Sequence, residues 1–434
     1  MKSLLFLAIM AISVILTPSG GLTEEIYRFD DSEIEKKPYH FGGYVEFKPI
    51  LFRLDHDSAP YKLRFYDTPQ ENTLAEANGR LQLEGSYEKG ICRLYAKTNT
   101  DLKYSDPAGS SERSLFYEAY GSLKPSTFLK IDAGKKTMKW GKGYAWSPAS
   151  FVDRPKDPDD PELAMEGYLV GTADYIRSHG GLLKTFSFTP VLLPVYDHIN
   201  DDFGNRDKMN FAGRFYFLLY DTDIDLMFMT GGSRPDRYGA DFSRNITSNL
   251  EIHGEFAYVR NFRKAVPDSI GIARVTESDA QSCLVGLRHL TTFDLTTIME
   301  YYHNGTGFSE EERRGFFAAV DRAYDLYQAT GKTAALTSAG SMAETFGRAG
   351  SGRDYLYVRL SQKEPFNLVY FTPAMTWMMN LGDRSSSLTP ELLYTGFTNW
   401  ELRFRTAFLI GGRDTEFGGK QNDCRIEFRV GYYF

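Results

Sequence analysis

The sequence predicts an all-β protein, a transmembrane antiparallel β-barrel of about 18 strands with short periplasmic turns and long extracellular loops. Three observations support this fold: apolar and polar residues alternate in successive segments, short and long connections alternate along the chain, and 15% of the residues are aromatic. Strands of membrane barrels are about 9–11 residues long and turn only every second side chain toward lipid. A hydrophobic content of 42% is therefore compatible with a membrane protein.

The first 21 residues have the features of an export signal. Lys2 precedes a largely apolar run from Leu4 to Leu16, and small or helix-breaking residues follow. This run is shorter than the roughly 20 apolar residues that a membrane-spanning helix needs. We therefore expect a cleaved signal peptide over residues 1–21, a periplasmic segment over 22–40 and a barrel over 41–434, located in the outer membrane of a Gram-negative-type bacterium.

Each predicted strand has one apolar and one polar face. In the segment from Met209 to Leu219, for example, Phe211, Phe215 and Phe217 share a face that Asn210 does not. Eighteen such segments lie near residues 41–53, 78–87, 91–103, 113–122, 127–139, 167–177, 181–192, 208–220, 223–232, 237–244, 248–262, 280–290, 293–303, 353–362, 366–378, 386–396, 399–411 and 423–434. A further candidate at 61–66 is rejected, because it would place the longest loops on the periplasmic side.

The last strand argues for a membrane barrel rather than a soluble β-sandwich or propeller, which alternation alone does not exclude. Ile426, Phe428, Val430, Tyr432 and Phe434 fall on one face. This ending resembles the signal by which bacterial barrel proteins are recognised for membrane insertion. The resemblance implies the barrel-assembly machinery as a partner, together with outer-membrane lipid and lipopolysaccharide.

Charged residues occupy the polar, lumen-facing sides of the strands. The basic ones are Arg80, Arg93, Lys97, Lys130, Lys136, Arg214, Arg237, Arg359, Arg403, Arg405, Arg425 and Arg429. The acidic ones are Glu46, Glu84, Asp132, Asp225, Asp241, Glu251, Glu255, Glu401 and Glu427. The densest basic group is on the last two strands, and arginine binds carboxylate or phosphate bidentately. Two interpretations remain open: a site for anionic solutes, or arginines that acidic neighbours simply neutralise.

The third outer connection, residues 140–166, is glycine-rich at its start and then acidic and proline-rich. It resembles the third loop of the porin class, which folds inward and narrows the channel; the alternative is a solvated surface loop. The run Gly134 to Lys136 before Trp140 and Gly141 is similar to a segment of alginate-export-like porins. The resemblance implies a constriction between acidic loop and basic wall, with these candidate residues: Asp153, Asp157, Asp159, Asp160, Glu162, Arg93, Lys97, Lys130, Arg403, Arg405, Arg425 and Arg429.

The long seventh connection, residues 304–352, changes to a helical period. Ser309 and Glu312 have the spacing of a capping box, and apolar residues repeat at helical spacing before Gly331. The sequence predicts one amphipathic helix, which either gates the mouth or packs on the barrel rim.

Other function classes find little support. A net charge of −7 argues against nucleic acid as a partner. No nucleophile motif is present, so we expect no enzyme and no cofactor, and the aspartates between Asp197 and Asp207 lack the spacing of a calcium loop. The predicted function is a porin-like channel for small hydrophilic solutes, with anions favoured by the arginines. The alternative is a sheath around a periplasmic or extracellular multihaem cytochrome; homo-oligomers are compatible with either.

Overall fold

The chain forms a closed β-barrel in which every strand pairs antiparallel with its neighbours in sequence. The computed structural model describes residues 37–106, 108–267, 273–348 and 350–434. The signal peptide predicted over 1–21 and most of the segment predicted over 22–40 lie outside these residues. β18 pairs with β1, which closes the barrel. The predicted all-β antiparallel barrel of about 18 strands is confirmed.

The strands match the predicted segments in number and order. The first nine are β1 Tyr39–Leu54, β2 Thr73–Lys89, β3 Cys92–Ser105, β4 Gly109–Ser126, β5 Leu129–Lys136, β6 Tyr168–Ser178, β7 Leu183–Val195, β8 Lys208–Leu219 and β9 Thr222–Thr230. The others are β10 Arg237–Thr247, β11 Leu250–Pro267, β12 Ala273–Leu290, β13 Leu295–His303, β14 Asp354–Gln362, β15 Phe371–Asn380, β16 Ser386–Tyr394, β17 Trp400–Ile410 and β18 Asn422–Tyr433.

Alternation along the strands separates a lipid-facing surface from a polar lumen. On β18, Ile426 and Phe428 are exposed on the outer surface, whereas Glu427 and Arg429 are buried inside. The same division holds on β1, where Phe47 is exposed outside. Only period-two structure places every second residue in the same environment, which is why the sequence pattern located the strands.

Connections are short at one end of the barrel and mostly long at the other, as in outer-membrane barrels. Several connections depart from the predicted strict alternation, two of them most clearly. Only three residues join β3 to β4 at the long-loop end, and eight residues, 363–370, join β14 to β15 at the short-turn end. The latter contain a 3₁₀ turn, Pro365–Asn367, and Glu364, Phe366 and Tyr370 have positive φ. β15 therefore starts at Phe371 rather than near 366.

Helices cover part of the long-loop end. α1, Ala59–Phe65, replaces the rejected strand, and the Ser58 side chain caps its N-terminus. The seventh connection contains two helices rather than one, α2 (Glu310–Thr330) and α3 (Ala334–Gly347). Ser309 and Glu312 form both halves of a capping box, and α2 ends at Gly331 in the left-handed region, φ 68°. In the described part of the chain, no helix is long and apolar enough to cross a bilayer.

The three helices share an apolar core that includes Phe316, Val320 and Phe346. A buried ion-pair network joins them to two further connections. Arg313, 3% exposed, contacts Glu416 at 3.3 Å and Asp383 at 3.9 Å. We call α1–α3 with connections 381–385 and 411–421 the cap. It is a packed unit, because burial of this kind fixes its parts against one another.

Candidate functional site

The third connection, residues 137–167, enters the lumen at its first residues, where its backbone binds a buried glutamate of β11. Glu255 on β11 accepts hydrogen bonds from the backbone N–H groups of Lys142 (2.6 Å), Gly143 and Ala149 (3.1 Å). A Cβ on Gly141 would lie 2.8 Å from Glu255 Oε1, and Gly141 has φ 90°. The glycines therefore allow the backbone to approach the carboxylate closely.

A second buried glutamate continues the same contact. Glu300 on β13, 0% exposed, accepts hydrogen bonds from the backbone N–H groups of Tyr144 and Ala145, the latter at 2.9 Å. The His253 ring nitrogen Nε2 lies 2.9 Å from the same carboxylate. Together the two glutamates accept hydrogen bonds from five backbone N–H groups of the connection. We call Glu255 and Glu300 the latch.

Asp153, a predicted constriction residue, instead holds the connection to itself. Its carboxylate accepts hydrogen bonds from the backbone N–H groups of Met138 (2.7 Å) and Trp140 (3.0 Å) and from the Ser150 hydroxyl (3.0 Å). The residue is only 4% exposed. Its position indicates a structural role at the base of the connection.

The acidic tip of the third connection, Asp157, Asp159 and Asp160, contacts the last strands of the barrel. Arg405 on β17 donates a hydrogen bond to the Asp159 carbonyl (2.6 Å), and Arg429 on β18 pairs with Asp160 at 3.0 Å. The connection lies between β5 and β6, and β18 and β17 are five and six strands away from β5 around the closed barrel. It therefore crosses the lumen.

The predicted basic group on the last strands is brought together, but acidic side chains largely neutralise it. Glu391 alone contacts Arg359 (3.0 Å), Arg405 (3.2 Å) and Arg403 (3.6 Å). Arg429 pairs with Glu427 at 3.0 Å and with Glu46 at 3.6 Å, and Arg403 pairs with Glu401 at 3.1 Å. These pairs correspond to the second interpretation, in which acidic neighbours neutralise the arginines, and the third connection supplies Asp160 as one of those neighbours.

Four of the other candidates lie apart from this group. Lys97 pairs with Glu84 at 3.4 Å, Lys130 with Asp132 at 2.9 Å, and Arg93 lies over the Tyr95 ring at 5.8 Å. Glu162 accepts a hydrogen bond from the Tyr144 hydroxyl at 3.2 Å. Among the described His, Cys, Asp and Glu side chains, no group of three or more could hold a metal ion.

Two aspartates of the tip have opposite protonation behaviour. Asp157 is open to lumen water, yet enclosure by the barrel and the like charges of Asp159 and Asp160 raise its pKa. Burial would also raise the pKa of Asp160, but the charges of Arg429 and Arg405 outweigh it and hold that pKa below its usual range. Asp160 therefore stays ionised, and paired, under conditions in which Asp157 takes up a proton.

We expect the ion selectivity of the pore to depend on pH through Asp157. Acidification from pH 7 should shift the reversal potential in a KCl gradient toward anions at pH values above the ordinary aspartate pKa of about 3.9. The Asp160 pair persists there, because a lowered carboxyl pKa keeps its stabilisation until the pH falls below the ordinary value. Asp157→Asn should abolish the shift; an identical pH dependence in that variant would contradict the assignment.

Between the third connection and the cap lies a cavity of about 890 Å³. Trp146, Pro161 and Glu162 of the connection line one side, and Met342 and Phe346 of α3 line the other. We call this cavity the chamber. The sequence singled out Lys97, Arg237, Asp153 and Glu162 as lumen or constriction residues, but not the other charged residues of the chamber, because most of those belong to connections rather than strands.

The structure combines a closed 18-stranded antiparallel barrel with a connection that folds into its lumen. Among solved structures, the chain is similar to OccK2 (OpdF) of Pseudomonas aeruginosa in complex with glucuronate. The two chains are 11% identical over 91% of this chain and 98% of that one, with a TM-score of 0.51. At this identity the likeness shows the fold alone.

Two other solved structures are similar at lower TM-scores. OccK5 (OpdH) of P. aeruginosa is 10% identical over 91% of this chain and 98% of that one, with a TM-score of 0.49. A triple mutant of the Rhodopseudomonas blastica porin is 10% identical over 91% of this chain and 100% of that one, with a TM-score of 0.44. No protein-family model matches the sequence, and no curated protein matches it significantly.

Proposed function

We propose that the protein is an outer-membrane channel through which small hydrophilic solutes pass, with anions preferred. The observation that carries the proposal is the third connection, which crosses a polar lumen and is tied to β11, β13, β17 and β18. Such a connection narrows an aqueous path and lines it with charge, which is how pores select solutes. No catalytic step or cofactor is needed for this work.

Planar-bilayer recording of the purified barrel tests the proposal. We expect stable conductance steps and a reversal potential in a KCl gradient that indicates anion preference. A correctly folded barrel that forms no conducting channel would contradict the proposal.

Neutralising the acidic tip should strengthen anion preference. The variant Asp157→Asn/Asp159→Asn/Asp160→Asn lacks the carboxylates that partly neutralise the neighbouring arginines. A unit charge near the path changes the energy of a passing ion by roughly 1 kcal/mol in water. We therefore expect the anion-to-cation permeability ratio to rise about five-fold. The matched control is Asp197→Asn/Asp201→Asn/Asp207→Asn on the connection between β7 and β8. Equal permeability ratios in the two triple variants would contradict a role for the tip.

The alternative function, a sheath around a multihaem cytochrome, is less well supported. A partner inside the lumen would have to displace a connection held by the latch and by Arg405 and Arg429. Haem that copurifies with the barrel would favour the sheath.

We also propose that β18 directs insertion by the assembly machinery into a membrane of lipid and lipopolysaccharide.

A further inference from the structure

The chamber has the size of a ligand site, since ligand pockets usually enclose about 300–1,000 Å³. Nine basic side chains line it, against three acidic ones. Each acidic side chain already accepts a hydrogen bond: Glu118 from the backbone N–H of Thr137 at 3.1 Å, and Asp153 and Glu162 as described above. Basic side chains therefore outnumber acidic ones in the lining of the chamber.

Four of the basic side chains are not neutralised. Others are ion-paired, such as Arg154 with Asp202 and Lys264 with Glu312. By contrast, Lys139, Lys156, Arg234 and Arg237 form no ion pair with any carboxylate in the described part of the chain. Lys139 is exposed, but unpaired cations in the enclosed part of the chamber are costly unless an anion joins them.

Arg234 and Arg237 are the most demanding of the four. They lie close enough for their charges to repel each other. Arg237 Nε is buried and has no hydrogen-bond partner among the described residues. Arg234 donates to the Phe203 carbonyl, and burial lowers the pKa of its guanidinium. Two guanidinium groups that line the same cavity and form no ion pair with a described carboxylate suit an oxyanion, which each can bind bidentately.

Aromatic side chains complete the chamber. Trp146 stacks on Tyr302 at 5.1 Å between ring centroids, and Phe308 stacks on Phe346 at 3.9 Å. All four line the chamber. An apolar wall next to a cluster of cations fits a ligand that has both a ring and a charged group.

We propose that the chamber binds a small ring-bearing organic anion, whose carboxylate or phosphate group contacts Arg234 and Arg237 while its ring packs against the aromatic wall. Lys139 and Lys156 add to the positive potential. This inference deepens the proposed channel function by placing a binding step before the constriction, but the binding itself does not require conduction.

Calorimetric titration of the full-length protein in detergent tests the site with four related probes. Benzoate and phenyl phosphate carry the two oxyanion chemistries, benzyl alcohol is neutral, and benzylammonium is cationic. We expect saturable binding of at least one anion, which weakens with added salt, and no binding of benzylammonium. Comparison of benzoate with phenyl phosphate shows which oxyanion the arginines prefer.

Variants locate the binding. Arg234→Gln/Arg237→Gln should weaken anion binding at least about ten-fold, because two charge-assisted contacts are lost. Arg206→Gln, which removes an exposed cation outside the chamber, should leave it unchanged. Lys139→Gln removes an exposed charge without disturbing packing and should weaken binding by about three-fold. If the double variant does not fold, this substitution decides the question.

Several results would overturn the proposal: no saturable binding of either anion, equally tight binding of benzylammonium, or wild-type affinity in folded Arg234→Gln/Arg237→Gln or in Lys139→Gln. Anion binding by a barrel that does not conduct would leave the site in place and refute the channel. Conduction without anion binding would refute the site alone.

Discussion

Replacing both latch residues, as Glu255→Gln/Glu300→Gln, should release the third connection from the barrel wall. Each glutamate accepts several backbone hydrogen bonds in a buried setting, and a hydrogen bond to a charged group contributes about 1.5–3 kcal/mol. A glutamine keeps one acceptor oxygen but turns an NH₂ donor toward backbone donors. We expect a larger and noisier single-channel conductance, and rapid tryptic cleavage after Lys142 and Lys156, which the wild type resists.

The control for this experiment is Glu251→Gln. Glu251 lies on β11 with Glu255, and its contacts are with Ser243 and His253 rather than with the third connection. It should conduct and resist trypsin like the wild type. A latch variant that folds and keeps wild-type conductance and protease resistance would show that the connection is held by its other contacts.

The strands were predictable because their signal is local. On β18 the neighbours Glu427 and Phe428 already differ in polarity, and a period of two repeated over ten residues is typical of a strand and not of a helix. The same rule erred at β15, because Phe366, Leu368 and Tyr370 also alternate. All three side chains are exposed, and Phe366 and Tyr370 have positive φ, which alternation in the sequence does not report.

The helices were harder to predict. Ser309 and Glu312 indicated α2, since a capping box is formed by residues close together in the sequence. α3 has many small residues and no side-chain cap, and it is stable because it packs on α2 and α1. α1 was considered only as a strand, because Tyr61 and Phe65 are strand formers as single residues. Their burial in the helix depends on Leu54 and Leu74 at the ends of the flanking strands, contacts that the propensities of single residues do not report.

The site was predictable in composition but not in pairing. An acidic connection and basic strands are visible in the sequence, and the structure does bring Asp160 to Arg429. Which strands bind the start of the connection depends on how the barrel closes and on how deep each residue lies in the lumen. In the sequence, Glu300 is only one acidic residue between Ile298 and Tyr302. Asp153 looked like the other aspartates of the connection, although its partners are backbone groups.

The second large effect is expected in the cap, from Arg313→Gln. Arg313 neutralises the buried carboxylates of Glu416 and Asp383 and thereby joins α2 to connections 381–385 and 411–421. Removing one partner of a buried ion pair typically costs about 3–5 kcal/mol, since the remaining charges stay desolvated. We expect the cap to unpack while the barrel, whose strand pairing does not involve Arg313, stays folded.

Limited trypsin digestion separates the two outcomes. Cleavage after Arg322 and Lys332 should become fast in Arg313→Gln, while the barrel keeps its heat-modifiable migration in gels. Arg314→Gln is the matched control: it removes the neighbouring arginine, which is exposed and, among the residues that the structure describes, pairs only with Glu310 one turn away, an interaction of about 0.5 kcal/mol or less. Because α3 forms one wall of the chamber, loss of the cap should also weaken anion binding there without changing the permeability ratio set by the tip. If Arg313→Gln digests like Arg314→Gln, the apolar core around Val320 is sufficient to hold the cap, and the ion-pair network is dispensable.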